Sequence, residues 1–153
     1  MKVCDYYSHL DAQLLISEKG LFEEINNCLT INNLAFVRGN PAIIKKLVGE
    51  KFNEQGWADR INLKNSKISI SFLKSRVGVC FQMGNVARMY ADILKLSYLF
   101  DEGLIEVGSL CVPHQIESSL LGANYARYDR LKTELKLFKN IIKVPILIIC
   151  LSN

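Results

Sequence analysis

Long apolar runs, regular cysteine spacings and a strong excess of one charge are all missing from this 153-residue chain. The longest apolar run, Val144 to Leu151, is too short to span a bilayer, and the opening MKVCDYYSHLD holds no apolar stretch that would serve as a signal peptide. A protein of the cytoplasm, without a membrane partner, is the expectation. Five cysteines (Cys4, Cys28, Cys80, Cys111 and Cys150) are odd in number, scattered and never spaced C-x-x-C. That pattern suggests neither a disulfide framework nor a zinc site, and reduced, mostly buried thiols are expected. Three prolines mark no linker, and there is no internal repeat or low-complexity tract, so residues 1–153 read as a single domain.

What is present is apolar material and an uneven distribution of charge. Hydrophobic residues make up 50% of the chain, enough for a substantial core. The net charge of +4 is modest, but residues 1–59 carry 6 Lys/Arg against 8 Asp/Glu, whereas residues 60–153 carry 13 against 7. A basic second part is compatible with a phosphate backbone as partner and equally with an ordinary solvated face.

Periodicity supplies the elements. Gly20 to Leu29 places Leu21, Phe22, Ile25, Cys28 and Leu29 on one helical side. Asn40-Pro41 reads as an N-cap and first-turn proline opening a helix through Ile44, Val48 and Phe52 that stops near Gln55-Gly56, after which Trp57 packs back on the core. From Lys67 the period changes to two: Ile68, Ile70 and Phe72, a turn at Lys74-Ser75-Arg76, then Val77, Val79 and Phe81. This predicts a β-hairpin with Ser71 near the end of its first strand and Cys80 and Gln82 on one face of its second. Val86 to Glu102 predicts a long helix closed by Gly103, and Ile105 to Val112 a buried strand. Helices are predicted around Gln115–Leu121 and over Ala123–Lys139, and Val144–Leu151 as a last strand covered on both faces. The order implies an α/β fold with a mixed central β-sheet flanked by helices.

From Ile68 onward these residues resemble the BglII-type type II restriction endonucleases, a branch of the PD-(D/E)XK nuclease superfamily. The family hairpin reads approximately D-x8-E-x-Q followed by F-G-N, and the helix, strand and late helix after it resemble VARMYADILK, GLIEVGSLCVP and GANYARYDRL here. Ser8-His9-Leu10 and Gly56-Trp57 also resemble family members. The resemblance implies a restriction-endonuclease-like core and Mg2+-dependent, site-specific cleavage of double-stranded DNA by a homodimer, with a cognate methyltransferase as genetic partner. Matched on Gln82, the family's glutamate falls at Cys80 and its aspartate at Ser71, so both catalytic acids are absent. Magnesium takes hard oxygen ligands; a serine hydroxyl is a weak one and a cysteine sulfur a soft one, so impaired cleavage is expected and Mg2+ is not expected to bind.

Several alternatives stay open at this level. Glu50, Glu54, Asp59, Asp92 and Glu106 are candidates to replace the missing acids, and Cys80 paired with His9 or His114 is a candidate nucleophile set against the plainer role of a packing residue. Gly84, Asn85 and Arg88 match family positions that contact DNA; Asn85 reads either as a base-reading amide or as the N-cap of the helix starting at Val86, and the two are compatible. Arg127, Arg130, Lys132 and Lys136 form either a stripe facing the DNA backbone or a solvated face, while Tyr90, Tyr98, Tyr125 and Tyr128 read as core or interface residues. The function is thus a type II restriction endonuclease homologue with an impaired centre, a non-catalytic DNA-binding or interaction protein on the same fold, or a product of a decaying gene.

Overall fold

The computed structural model describes all residues, 1–153. One six-stranded sheet carries the chain, with strands in the order β1-β6-β5-β4-β3-β2. These are β1 (Lys2–His9), β2 (Ala58–Asn62), β3 (Ser69–Lys74), β4 (Val77–Phe81), β5 (Val107–Pro113) and β6 (Ile146–Ser152). The inner pairs β4–β5 and β5–β6 are parallel, while β1–β6, β2–β3 and β3–β4 are antiparallel, so the sheet is mixed as expected. The helices are α1 (Ala12–Glu18), α2 (Phe22–Leu29), α3 (Pro41–Glu54), α4 (Val86–Asp101), α5 (Gln115–Leu121) and α6 (Tyr128–Leu137). No helix is long and apolar enough to cross a membrane.

Alternation along the strands splits the core in two. Val77, Val79 and Phe81 of β4 and Leu147, Ile149 and Leu151 of β6 pack with Ile16, Ile25, Ile44 and Phe52 from α1, α2 and α3. The intervening Cys80, Ile146, Ile148 and Cys150 pack with Met89, Ile93 and Leu96 of α4 and Leu131 and Leu135 of α6. Both faces of β4, β5 and β6 are therefore covered, which is why Val144–Leu151 reads as a continuous apolar run. Each fully buried Leu or Ile side chain contributes roughly 1.5–3 kcal/mol relative to exposure.

The hairpin forms two residues later along its first strand than the alternation suggests, so Ser71 lies in the middle of β3 rather than near its end. Its turn is the pair Ser75-Arg76, at φ 48° and 64°. Positive φ at both central residues gives a two-residue turn the twist its strands need. Arg76 is held there by Glu106 at 2.8 Å and by the Gly103 carbonyl at 2.9 Å. Trp57 is 3% exposed and meets Phe52 edge to face, with its indole N–H donating to Glu24 at 2.6 Å. The late helix starts at Tyr128, five residues beyond the position expected from its spacing. The preceding segment is diverted: Asn124 O accepts from Val86 N–H, Ala126 N–H donates to Gly84 O, and Tyr125 bridges Asn85.

Three elements have no counterpart in the sequence prediction. β1 shows no alternation, because its register slips between Val3 and Asp5 and a bulged residue shifts the side chains that follow. β2 is an edge strand whose five residues are exposed apart from a half-buried Ile61. α1 is only seven residues long, buries Ala12 and Ile16 alone, and opens from Asp11 in the left-handed region without a side-chain cap.

Candidate functional site

The β3–β4 register runs from Lys74 opposite Val77 to Phe72 opposite Val79. Beyond it, the Ser71 hydroxyl stands in for a backbone acceptor and receives the Phe81 N–H at 2.9 Å. Cys80, one residue earlier on β4, is 1% exposed and turns into the core beneath α4. Burial pushes its thiol well above the ordinary cysteine range, and the carboxylate of Asp92 adds to the effect. A buried neutral thiol is a poor nucleophile. His9 bonds the Ile142 carbonyl at 2.9 Å and His114 caps α5, so neither acts as its base.

Gln82 follows β4 directly and is anchored by its N–H to Cys111 O at 2.9 Å. Its side chain is 7% exposed and spans two elements: Oε1 accepts from Gly84 N–H at 2.8 Å, and Nε2 donates to Asp92. Asp92, 4% exposed on α4, also accepts from Lys95 Nζ at 2.8 Å one helical turn on. The relay Gly84–Gln82–Asp92–Lys95 thus fixes the entry to α4 against the end of β4. A Cβ on Gly84 would stand 2.8 Å from Gln82 Oε1 and 3.0 Å from Arg88 Cδ, so glycine is what lets this turn close.

These groups border a cleft of about 630 Å³ between α3, the β2–β3–β4 end of the sheet and α4. Ser71, Gln82, Arg88, Asp92 and Lys95 line it, and Cys80 does not. Of the five alternative acids, Glu50, Asp59 and Asp92 reach the cleft, whereas Glu54 does not and Glu106 is engaged with Lys19 and Arg76 at the turn end of the hairpin. Three acids face five cations there: Lys45, Lys46, Arg60, Arg88 and Lys95. Burial, followed by the neighbouring Arg88 cation, depresses the pKa of Lys45, and the carboxylate of Asp92 offsets this only in part. The sequence reading missed Lys45, Lys46, Arg60 and Lys95; the Lys45-Lys46 doublet beside the buried Ile44 was a usable signal, while Arg60 lies on the edge strand that has no periodic pattern.

Asn85 is the N-cap of α4, its Oδ1 accepting from Arg88 N–H at 3.1 Å, and it is exposed at the mouth of that helix. The cations of the late helix lie elsewhere. Arg130 pairs with Glu134 at 2.8 Å, Lys132 with Asp5 at 3.0 Å, and Lys136 lies over the Tyr7 ring; none of these, nor Arg127, lines the cleft. Tyr90 donates to Glu134 and Tyr128 to Asp5, while Tyr98 and Tyr125 pack partly buried against the two cores.

Ser71 and Cys80 offer magnesium no carboxylate. No three Asp, Glu, His or Cys side chains converge as a metal-binding group. Within the cleft the Ser71 oxygen is occupied by a backbone donor and both Asp92 oxygens are engaged, by Gln82 and by Lys95, which leaves Glu50 and Asp59 as its other carboxylates. A divalent cation needs several free oxygen ligands, of which carboxylates are the usual anchors.

The family model for the restriction endonucleases BglII/BglIII matches residues 4–151. No curated protein sequence matches the chain. Among solved structures, restriction endonuclease BglII complexed with a DNA 16-mer is similar at a TM-score of 0.88 and 15% identity, covering 100% of this chain and 77% of that one. Free BglII is similar at a TM-score of 0.78 and 19% identity, covering 100% and 80%. At these identities the two structures establish the shared fold, and the match over residues 4–151 establishes the family. The chain belongs to the BglII/BglIII family of restriction endonucleases.

Proposed function

We propose that this chain is a restriction endonuclease homologue that engages double-stranded DNA through the α3–β3–α4 cleft and is impaired in magnesium-dependent cleavage. The observation that carries the proposal is the pair of positions matched to the catalytic acids: a hydroxyl committed to Phe81 N–H at Ser71 and a thiol 1% exposed at Cys80. Hydrolysis by the family route needs negative oxygen ligands to hold the cation that polarises the scissile phosphate.

DNA engagement is supported by the five cleft cations and by a relative solved with a DNA 16-mer. Arg88 is an exposed candidate for a backbone phosphate or a guanine, Gly84 shapes the turn before it, and Asn85 presents its amide at the helix start. Gln82, held by Asp92 and Gly84, acts as a positioning residue for that turn. The family resemblance extends the proposal to a homodimer working in the cytoplasm, with a cognate methyltransferase as its genetic partner.

Titration of the protein with mixed-sequence duplex DNA over rising salt, with EDTA and with Mg2+, tests the binding. The expected result is an affinity that falls steeply with salt, as phosphate contacts require, and is indifferent to EDTA. Arg88→Ala is expected to reduce the salt slope by about 1. Flat, negligible binding sinks the DNA-binding proposal and favours a decayed product. Specific cutting by the wild-type chain in Mg2+ or Mn2+ sinks the impairment. The Ser71→Asp/Cys80→Glu double variant then tests the site itself. The new acids, one of them at the buried Cys80 near Asp92, are expected to destabilise the metal-free protein by about 3–5 kcal/mol, with Mg2+ restoring Tm and introducing cleavage.

A further inference from the structure

Of the five cysteines only Cys4 and Cys150 meet, with their Sγ atoms 2.9 Å apart. The sheet explains the encounter. Asp5 pairs across β1–β6 with Cys150, and Val3 with Leu151, so Cys4 is the extra residue of a bulge opposite a single partner. A bulge sets two successive side chains toward one partner instead of alternating them. Asp5 accordingly reaches Tyr128 and Lys132 of α6, and Cys4 reaches the Cys150 thiol, which belongs to the α4–α6 core. Cys4 is exposed, whereas Cys150 is buried. The other thiols are apart from them: Cys28 lies against the Lys51 carbonyl, Cys111 against Ser109, and Cys80 beneath α4.

We propose that Cys4 and Cys150 form a redox modification site that takes a small-molecule disulfide such as glutathione disulfide as oxidant and closes into a cross-strand disulfide between β1 and β6. The exposed Cys4, as thiolate, attacks one sulfur of glutathione disulfide, making a Cys4–glutathione mixed disulfide and releasing one glutathione thiolate. Cys150 then attacks Cys4 Sγ as it gives up its proton; the Cys4–glutathione bond breaks and the second glutathione departs. Two protein thiols are oxidised, one glutathione disulfide is reduced to two glutathiones, and the two protons end on glutathione. Cys150 stands beside Cys4 as the shielded second thiol, its pKa raised by burial and by the adjacent Cys4. The division of labour, an accessible attacking thiol with a shielded resolving one, is what confines the oxidation to this pair. Because the bond would join the first strand to the last, it closes a loop of almost the whole chain, and β1 lies at the sheet edge opposite the β2 side that borders the cleft.

The test is incubation of the full chain with glutathione disulfide, followed by thiol titration under denaturing conditions, peptide mass mapping and a melting curve. Free thiols are expected to fall from five to three, with a linked peptide pair containing Cys4 and Cys150, a mass lower by about 2 Da and a Tm raised by roughly 5–15 °C. Cys4→Ser, an exposed substitution that leaves both cores intact, is expected to keep its four remaining thiols free and show no rise in Tm. Five thiols surviving the incubation, a mixed disulfide that persists on Cys4 with Cys150 free, a link between two chains, or loss of two thiols in Cys4→Ser would each overturn the proposal.

Discussion

Asp92 divides its two oxygens between the Gln82 amide and the Lys95 ammonium while only 4% exposed. Its substitution therefore strips two donors at once, one of them on a buried residue. Lys95 retains a route to solvent at 23% side-chain exposure, whereas Gln82 is only 7% exposed. Asp92→Ala is expected to cost about 2–4 kcal/mol, measured by urea unfolding, because an orphaned buried donor carries its full desolvation penalty. A loss within about 0.5 kcal/mol, the range of an ordinary surface substitution, would show that the relay is not the fixed connection between β4 and α4 described above. At the same scale, Cys80 carries no charge to hydrate and packs with Met89, Ile93 and Leu96 in the core.

At the scale of elements, the start of α4 is where structure and proposed function compete for one side chain. Asn85 caps the helix through Oδ1 and leaves its amide nitrogen without a partner in the fold. Replacing it by Ala is expected to destabilise the protein by about 1 kcal/mol, and by Ser hardly at all, since a hydroxyl also caps. If the amide also touches DNA, Asn85→Ser will bind duplex DNA several-fold more weakly while its Tm stays at the wild-type value. Equal affinity of Asn85→Ser and wild type would leave capping as its whole role. The loop that pins this helix start is itself distant in sequence, through Asn124 to Val86 and Ala126 to Gly84, which is why the late segment is extended where its apolar spacing suggests helix.

Across the whole molecule, two acids fasten elements together and set the response to pH. Asp5 ties β1 to α6: burial raises its pKa, but Lys132, the Tyr128 hydroxyl and the Tyr6 N–H outweigh burial and hold it below the ordinary value. Glu106 joins the end of α1 to the hairpin turn, and its hydrogen bond from Lys19, aided by Arg76, lowers it likewise. A carboxylate depressed in the folded state stabilises fully above its unfolded pKa, about 4, and loses that contribution as pH falls through the folded value. Tm is therefore expected to be insensitive to these groups above about pH 5 and to decline as the solution is acidified below about pH 4. Asp5→Asn should start from a lower Tm at neutral pH and show a shallower acid decline; an acid limb parallel to that of the wild type would refute the assignment.

What the amino-acid order alone determined was local and periodic: the helices over 41–54 and 86–101, the 69–81 hairpin and the two buried strands after it. These were legible because burial on a fixed face imposes a period of two or 3.6 on the side chains that meet it. The edge strands β1 and β2 carried no such period, one interrupted by a bulge and the other mostly solvated, and pairing to a distant neighbour created them. The same holds for the cleft. Lys45, Arg60 and Lys95 belong to three elements, and only the folding of α3 and α4 toward the end of β3 and β4 made their charges neighbours. Contacts between residues far apart in the chain leave no periodic trace in it, so convergence of side chains belonged to the tertiary structure to decide.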